Sequence, residues 1–214
     1  MRKQHLLIFL WILALLGGMR LDLWHERQFL PPPEERTAQQ NLVDVFGEVK
    51  TVVALYLWFR MDIYHEVLES QGKDEGELLP LLRMTTLLDP SMTDSYDQLV
   101  WDLYKGQGKV ETAQEVLDEG IRLNPSSYEL WFRKALLHHM EGQYEESMKA
   151  ASKAIGLTDD RVQQADCLRL IYWSSKELER RDIQRRAMEH LVKLRPNDPL
   201  WQREKKKFEQ GEYD

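Results

Sequence analysis

The sequence predicts an all-α fold, a solenoid of stacked helical hairpins behind one apolar N-terminal helix. Two sets of corners predict it. Asp89-Pro90, Asn124-Pro125 and Arg195-Pro196 each close an apolar-periodic stretch. Pro90 and Pro125 are 35 residues apart; Pro125 and Pro196 are 71 apart, with Thr158-Asp159-Asp160 near their midpoint. Gly72, Gly108 and Gly142 form the second set, spaced by 36 and 34, each between two helical patterns. Proline cannot continue a helix and glycine turns freely, so the unit is helix, glycine turn, helix, proline turn. The third observation is compositional: 214 residues, 43% hydrophobic, enough for one compact domain plus an appendage.

The appendage comes first. Leu6 to Met19 are fourteen uncharged, largely apolar residues behind Arg2 and Lys3. A bilayer-spanning helix wants about 20 apolar residues, with about 17 as the lower limit. With His5, Arg20 and Leu21 included, and Arg20 snorkelling to headgroups, residues 1–21 read as an uncleaved signal anchor or transmembrane helix. A cleaved signal and a buried or interfacial helix are the alternatives. The basic start favours an orientation that exports the following domain, so the expectation is a single-pass membrane protein with its domain on the extracytoplasmic, periplasmic side. Residues 22–36 end in Pro31, Pro32 and Pro33, a stiff polyproline spacer. Thr37 and Gln40 make a capping-box pattern that opens the repeat domain, residues 37–214.

Val43 to Leu68 is almost continuously apolar, and burial beneath the next hairpin is its default expectation; contact with a membrane surface or a partner's membrane helix is the other. In the unit after Pro125, Ser126 and Glu129 form a capping box, and Trp131, Ala135 and His138 recur at helical spacing. Tyr144, Met148, Ala151, Ala154 and Ile155 line one face of the next helix, which Ser147, Ala151 and Ala154 keep slim for close stacking. Asp198 caps a last, polar helix running to about Gln210 with Pro199 at its first position.

The run Trp131…Ala135…His138…Gly142-x-Tyr144…Ala151…Ala154…Asp159 resembles the tetratricopeptide repeat (TPR) family. Val100, Trp101, Tyr104, Gly108, Ala113, Leu117, Gly120 and Pro125 are similar to the same pattern, although Trp101 stands where the family has a small residue, which implies wider packing there. The unit from Tyr56 to Pro90 is four residues too long. The unit from Ala165 to Pro196 is degenerate, with Gln184 and Leu191 at alanine places and no glycine at its turn. The resemblance covers roughly residues 55–196 and implies a right-handed solenoid of about four hairpins.

It also implies a site. In this family the inner helix of each hairpin lines a concave face that holds protein partners. Carried over, that groove takes Gln98, Asp102 and Lys105, then Phe132, Arg133, Leu136 and His139, then Arg169, Trp173 and Lys176. Exposed Phe132 and Trp173 beside Arg133 and Arg169 would hold a peptide or helix by stacking and charge pairing. The competing reading puts Phe132, Leu136 and Trp173 between hairpins as core. Asp102, Asp166 and Leu170 replace groups that a carboxylate clamp needs, so acidic C-terminal tails are not the expected ligand.

Other chemistries are not expected. The formal net charge of −7 argues against nucleic acid. Residues 37–160 carry 11 basic and 22 acidic side chains, residues 161–214 13 and 10; Arg180, Arg181, Arg185 and Arg186, with Lys205, Lys206 and Lys207 nearby, read as a solvated helix face paired with nearby acids, the alternative being a patch that faces acidic groups or headgroups. His138-His139 points in two directions about 100° apart and cannot chelate like an i, i+4 pair. His65-Glu66 lacks a second histidine, and Cys167, the one cysteine, reads as a half-buried helical residue. No cofactor, metal or catalytic set is expected. The reading is a membrane-tethered scaffold or assembly factor for a bacterial envelope complex; its rival is an accessory subunit of a secretion or channel assembly whose N-terminal helix packs against other transmembrane helices.

Overall fold

A computed structural model describes residues 49–71 and 78–212, which form helices and turns with no strand among them. Residues 1–21, the spacer 22–36, the cap at Thr37 and the turn at Gly72 lie outside the described residues. Among the described residues no helix is long and apolar enough to cross a membrane. The chain divides into two compact units, up to Ser95 and from Tyr96 onward.

In the first unit α1 (Lys50–Gln71) packs on α2 (Leu79–Leu88). Thr85 and Thr86 of α2 are buried, and their hydroxyls donate to the carbonyls of Leu81 and Arg83, so neither costs an unmet hydrogen bond. α1 buries Ala54 and Met61 but leaves Val52, Leu55, Tyr56 and Phe59 exposed. The expected burial of this stretch is therefore overturned for its first three turns. Among the described residues α1 packs on α2, and a helix apolar on all sides cannot turn every face toward one such neighbour.

α3 (Thr93–Trp101) runs into a π turn, Asp102–Gly106. The second unit continues through α4 (Val110–Leu123), α5 (Tyr128–Met140), α6 (Tyr144–Ile155), α7 (Arg161–Glu177), α8 (Arg181–Leu194) and α9 (Pro199–Glu209). From α4 onward each helix packs on the next, and α5 also meets α7, the nearest-neighbour pattern of stacked hairpins. Ala135, Ala150, Ala151 and Ala154 cluster with Cys167 and Leu170 where α5, α6 and α7 meet. Cys167 is fully buried, not half-buried as its sequence context suggested. Between α3 and α4 the ring of Tyr96 lies so close to Gly120 that a Cβ there would stand 2.9 Å from its Cδ1.

The corners follow the two sets seen in the sequence. Asp89, Asn124 and Arg195 each accept from the amide three residues on (Met92, Ser127 and Asp198), with proline at the second turn position. The helix-to-helix turns share another pattern. Gly108, Gly142 and Glu179 all lie in the left-handed region, at φ 64°, 72° and 55°. Behind each, the next amide reaches back into the preceding helix: Lys109 to Leu103, Gln143 to His138, Arg180 to Ser175. The degenerate unit thus keeps the glycine turn without the glycine. A second correction concerns α5, whose cap is Ser127, not Ser126: the Ser127 hydroxyl accepts from the Leu130 amide, because the Pro125 turn consumes Ser126.

Gln184 and Leu191, at the alanine places of α8, are both buried, and Gln184 Oε1 accepts from Arg181 Nη1 at 2.9 Å. α9 starts as expected: Asp198 caps it through the Leu200 amide, and Pro199 opens it. It buries Trp201, Glu204 and Phe208 and turns Gln202, Arg203, Lys205 and Lys206 to solvent, as an end cap should. The arginines at the start of α8 are held by acids and rings. Arg186 pairs with Asp182, Arg180 with Glu145 of α6, and Arg185 lies over the Phe208 ring.

A side chain in the left-handed region costs about 1–2 kcal/mol relative to glycine. Glu179→Gly should therefore raise the stability of the chain by about 1 kcal/mol, after glycine's own entropic cost. A urea titration checks it, as a higher midpoint at unchanged slope.

Candidate functional site

α3, α5 and α7, with the π turn after α3, carry the residues expected to form a groove, and the structure sorts them into packed and exposed. Phe132 stacks on Tyr128 with centroids 5.7 Å apart and rings 15° from parallel. With Leu136 it is half-buried against the cluster around Cys167. Tyr128 in turn donates to the Gln163 carbonyl of α7. Trp173 is half-buried as well, edge-on to Tyr172 at 4.9 Å and 6.5 Å from Trp201. The aromatic groups of the site thus spend much of their surface holding neighbouring hairpins together.

The cations are placed differently, each on a ring or beside an acid. Arg133 reaches from α5 to α3 and grips Asp97 with two hydrogen bonds, Nε to Oδ1 at 2.5 Å and Nη2 to Oδ2 at 2.6 Å. Its guanidinium also covers the Trp101 ring at 4.6 Å. Lys105 is exposed and lies 5.9 Å from the Trp101 centroid and 5.4 Å from that of Tyr104. Lys176 sits 5.1 Å over Trp173. Arg169 is exposed and stands 3.4 Å from Asp166, which also faces Arg195 at 3.8 Å. Trp101 therefore joins Lys105 and Arg133 in one group. Trp173 and Lys176 form a second, and Arg169 belongs to neither.

Polar groups tie these helices in register. Tyr104 donates to Glu141 at 2.5 Å, and that bond raises its phenol to about 12, so it stays protonated and donating. Gln98 donates to Asp102 within α3 and its π turn. His139 Nδ1 lies 2.9 Å from Ser174 Oγ, which donates to Ser147 Oγ at 3.2 Å, so one chain of polar atoms joins α5, α7 and α6. Tyr144 meets the His139 ring edge-on at 5.4 Å.

Two components were not in the expected set. Trp101 was read for its effect on packing, yet it is the platform under Lys105 and Arg133. Its i, i+4 spacing to Lys105 was the available signal. Asp97, thirty-six residues before Arg133, had none.

His138 Nδ1 contacts Gln143 at 2.5 Å while His139 faces Ser174, so the two rings serve different partners. Among the described residues no three His, Cys, Asp or Glu groups converge to hold a metal ion. Burial pushes the Cys167 thiol up to about 12, away from the thiolate a nucleophile needs.

This arrangement has paired helices, left-handed turns and inner helices touching in succession. Residues 128–161 match the tetratricopeptide repeat family. The matched segment is α5, its Gly142 turn and α6, ending at the first residue of α7. No curated protein matches the chain. TPR repeats generally mediate protein binding, and on α5 the matched segment holds Phe132, Arg133, Leu136 and His139.

Burial lowers the pKa of His139 below its ordinary 6.5, with Glu177 acting weakly in the other direction. The folded state then binds a proton less readily than the unfolded chain. The associated stability is complete above pH 6.5 and is lost as pH falls through the lowered folded value. His139→Gln should flatten that acid-side decline. Denaturant titrations at about pH 7.5 and about pH 5.5, on either side of the histidine range, compare the two proteins.

Proposed function

We propose that the chain is a scaffold held at a membrane by residues 1–21, which keeps partner proteins on its inner-helix face as part of an envelope assembly. Residues 22–36 serve as the spacer, and the repeat domain works on the extracytoplasmic side. The TPR match at residues 128–161 is the observation that carries the interaction role, since such repeats generally mediate protein binding. The placement of charge supports the face: Lys105, Arg169 and Lys176 all lie at or near the surface, and two of them rest on aromatic platforms. A partner segment that offers carboxylates between apolar side chains suits such a surface, where ring and cation act together. The fourteen-residue apolar run from Leu6 to Met19 supports the tether.

The triple variant Lys105→Glu/Arg169→Glu/Lys176→Glu tests the face. Intact membranes are cross-linked, and the recovered complexes are identified by mass spectrometry. Partners of the wild-type chain should be lost from the variant while its helical circular dichroism is unchanged. Retention of every partner would remove the inner face from the function. Exchange of residues 1–21 for an unrelated anchor should preserve the recovered set, because a tether supplies location only.

A further inference from the structure

α7 packs on α6 and on α8, and a cleft of about 600 Å³ opens where the three helices meet. None of the residues expected in the inner groove lines it. Ile155 of α6, Leu168 of α7 and Leu194 of α8, each half-buried, give it an aliphatic wall. Ser152, Gln164, His190 and Lys193 supply its polar groups, and no acid is among them. A space of this size, walled by apolar side chains and carrying a few polar groups, has the dimensions of a ligand site.

The preceding hairpin shows what fills such a cleft from within. Where α4, α5 and α6 meet, the space is about 230 Å³. There Lys134 is tied to Asp118 at 2.6 Å, and Glu146 also lines the wall. Ser152 and Leu168 stand 34 residues after Asp118 and Lys134, one repeat on. A hydroxyl and an aliphatic side chain thus replace the ion pair, and the later cleft is the larger.

Its remaining charge is positive and unclaimed. Among the described residues neither His190 nor Lys193 meets an acid or a ring, whereas Arg180, Arg186 and Arg195, on the same helix or at its ends, are paired. Neighbouring acids are engaged elsewhere. Asp160 caps α7 through the Val162 and Gln163 amides, Asp166 faces Arg169 and Arg195, and Glu189 lines a separate hollow beside Arg185. Asp159, in the turn before α7, does not line the cleft.

An anion on an aliphatic body complements such a wall, and two oxygens narrow the choice. Gln164 donates through Nε2 to the Thr158 carbonyl, which leaves its Oε1 to accept. The Ser152 hydroxyl donates to the Met148 carbonyl and keeps its acceptor side. A fatty acid has no N–H for these oxygens and would cover them without a hydrogen bond; a peptide backbone supplies one.

We propose that the cleft between α6, α7 and α8 is a second protein-docking site, which takes a short peptide segment carrying a carboxylate between aliphatic side chains. The aliphatic groups pack on Ile155, Leu168 and Leu194. The carboxylate reaches Lys193 and His190, and backbone N–H groups donate to Gln164 and Ser152. This site requires neither the inner face nor the tether.

The full-length chain, with isotope-labelled leucine methyl groups and in lipid nanodiscs, is titrated with acetyl-Leu-Glu-Leu-amide up to about 10 mM. The Leu168 and Leu194 methyl resonances should shift and saturate. Acetyl-Leu-Gln-Leu-amide, of the same shape without the charge, should bind about tenfold more weakly, as should the Glu peptide to Lys193→Gln. Ser152→Asp puts back the acid of the earlier cleft at an exposed position and should weaken binding likewise. The remaining leucine resonances report that each variant is folded. Leu136 reads the inner face separately, so a response there tests that surface alone. Equal affinity for the two peptides, an absence of saturation at Leu168 and Leu194, or indifference to Ser152→Asp overturns the proposal. Octanoate that moves the same two methyl groups more tightly than the peptide assigns the cleft to a fatty acid and overturns it equally.

Discussion

Two antiparallel helices joined by a tight turn carry apolar side chains on more faces than they can cover for each other. The remaining face needs another hairpin, and this requirement organises the second unit. α5 and α6 share Ala135, Ala151 and Ala154 at their contact, and α7 completes the cluster with Cys167 and Leu170. The next cluster, around Tyr172, Met188 and Leu191, is closed by Trp201 and Phe208 of α9. The other face of α9 carries Gln202, Arg203, Lys205 and Lys206, which are exposed. Among the described residues of the first unit, α1 packs on α2 and leaves Val52, Leu55, Tyr56 and Phe59 exposed.

Stacking by apolar surface alone would permit sliding, since dispersion and hydrophobic contacts have little directionality. Polar pairs that reach between hairpins supply direction. Tyr172 donates to the buried carboxylate of Glu204, which Lys207 also approaches at 2.9 Å. Tyr128 reaches the Gln163 carbonyl, and His139, Ser174 and Ser147 link three helices. Arg133 and Asp97 do the same between α3 and α5, with an indole beneath the guanidinium to fix its plane. Such bonds are satisfied in one register only, and a slip by one turn would leave buried donors and acceptors unpaired.

The inner face inherits its character from that architecture. Its aromatic side chains divide their surface between the core and the outside, while Lys105 and Lys176 rest their ammonium groups on rings. A partner would meet pre-positioned cations at half-buried rings, with little side-chain freedom left to lose on binding.

The all-α class, the spacing of the hairpins, the start of α9 and the small residues of α6 were legible in the sequence, because helical period, proline and glycine act locally. The seat of the glycine turns was legible at Gly108 and Gly142 and hidden at Glu179, where backbone hydrogen bonds and not residue type impose the left-handed conformation. The helix that holds each residue of the candidate face could be placed by position in the repeat. Whether Phe132, Leu136 and Trp173 faced core or solvent could not, since one period serves both sides of an inner helix. Tertiary structure alone decided that they do both, that Arg133 finds Asp97 across thirty-six residues, and that α1 turns Tyr56 and Phe59 outward. Each of those outcomes depends on which neighbour a side chain meets, and pairings between distant segments leave no periodic trace in a single chain.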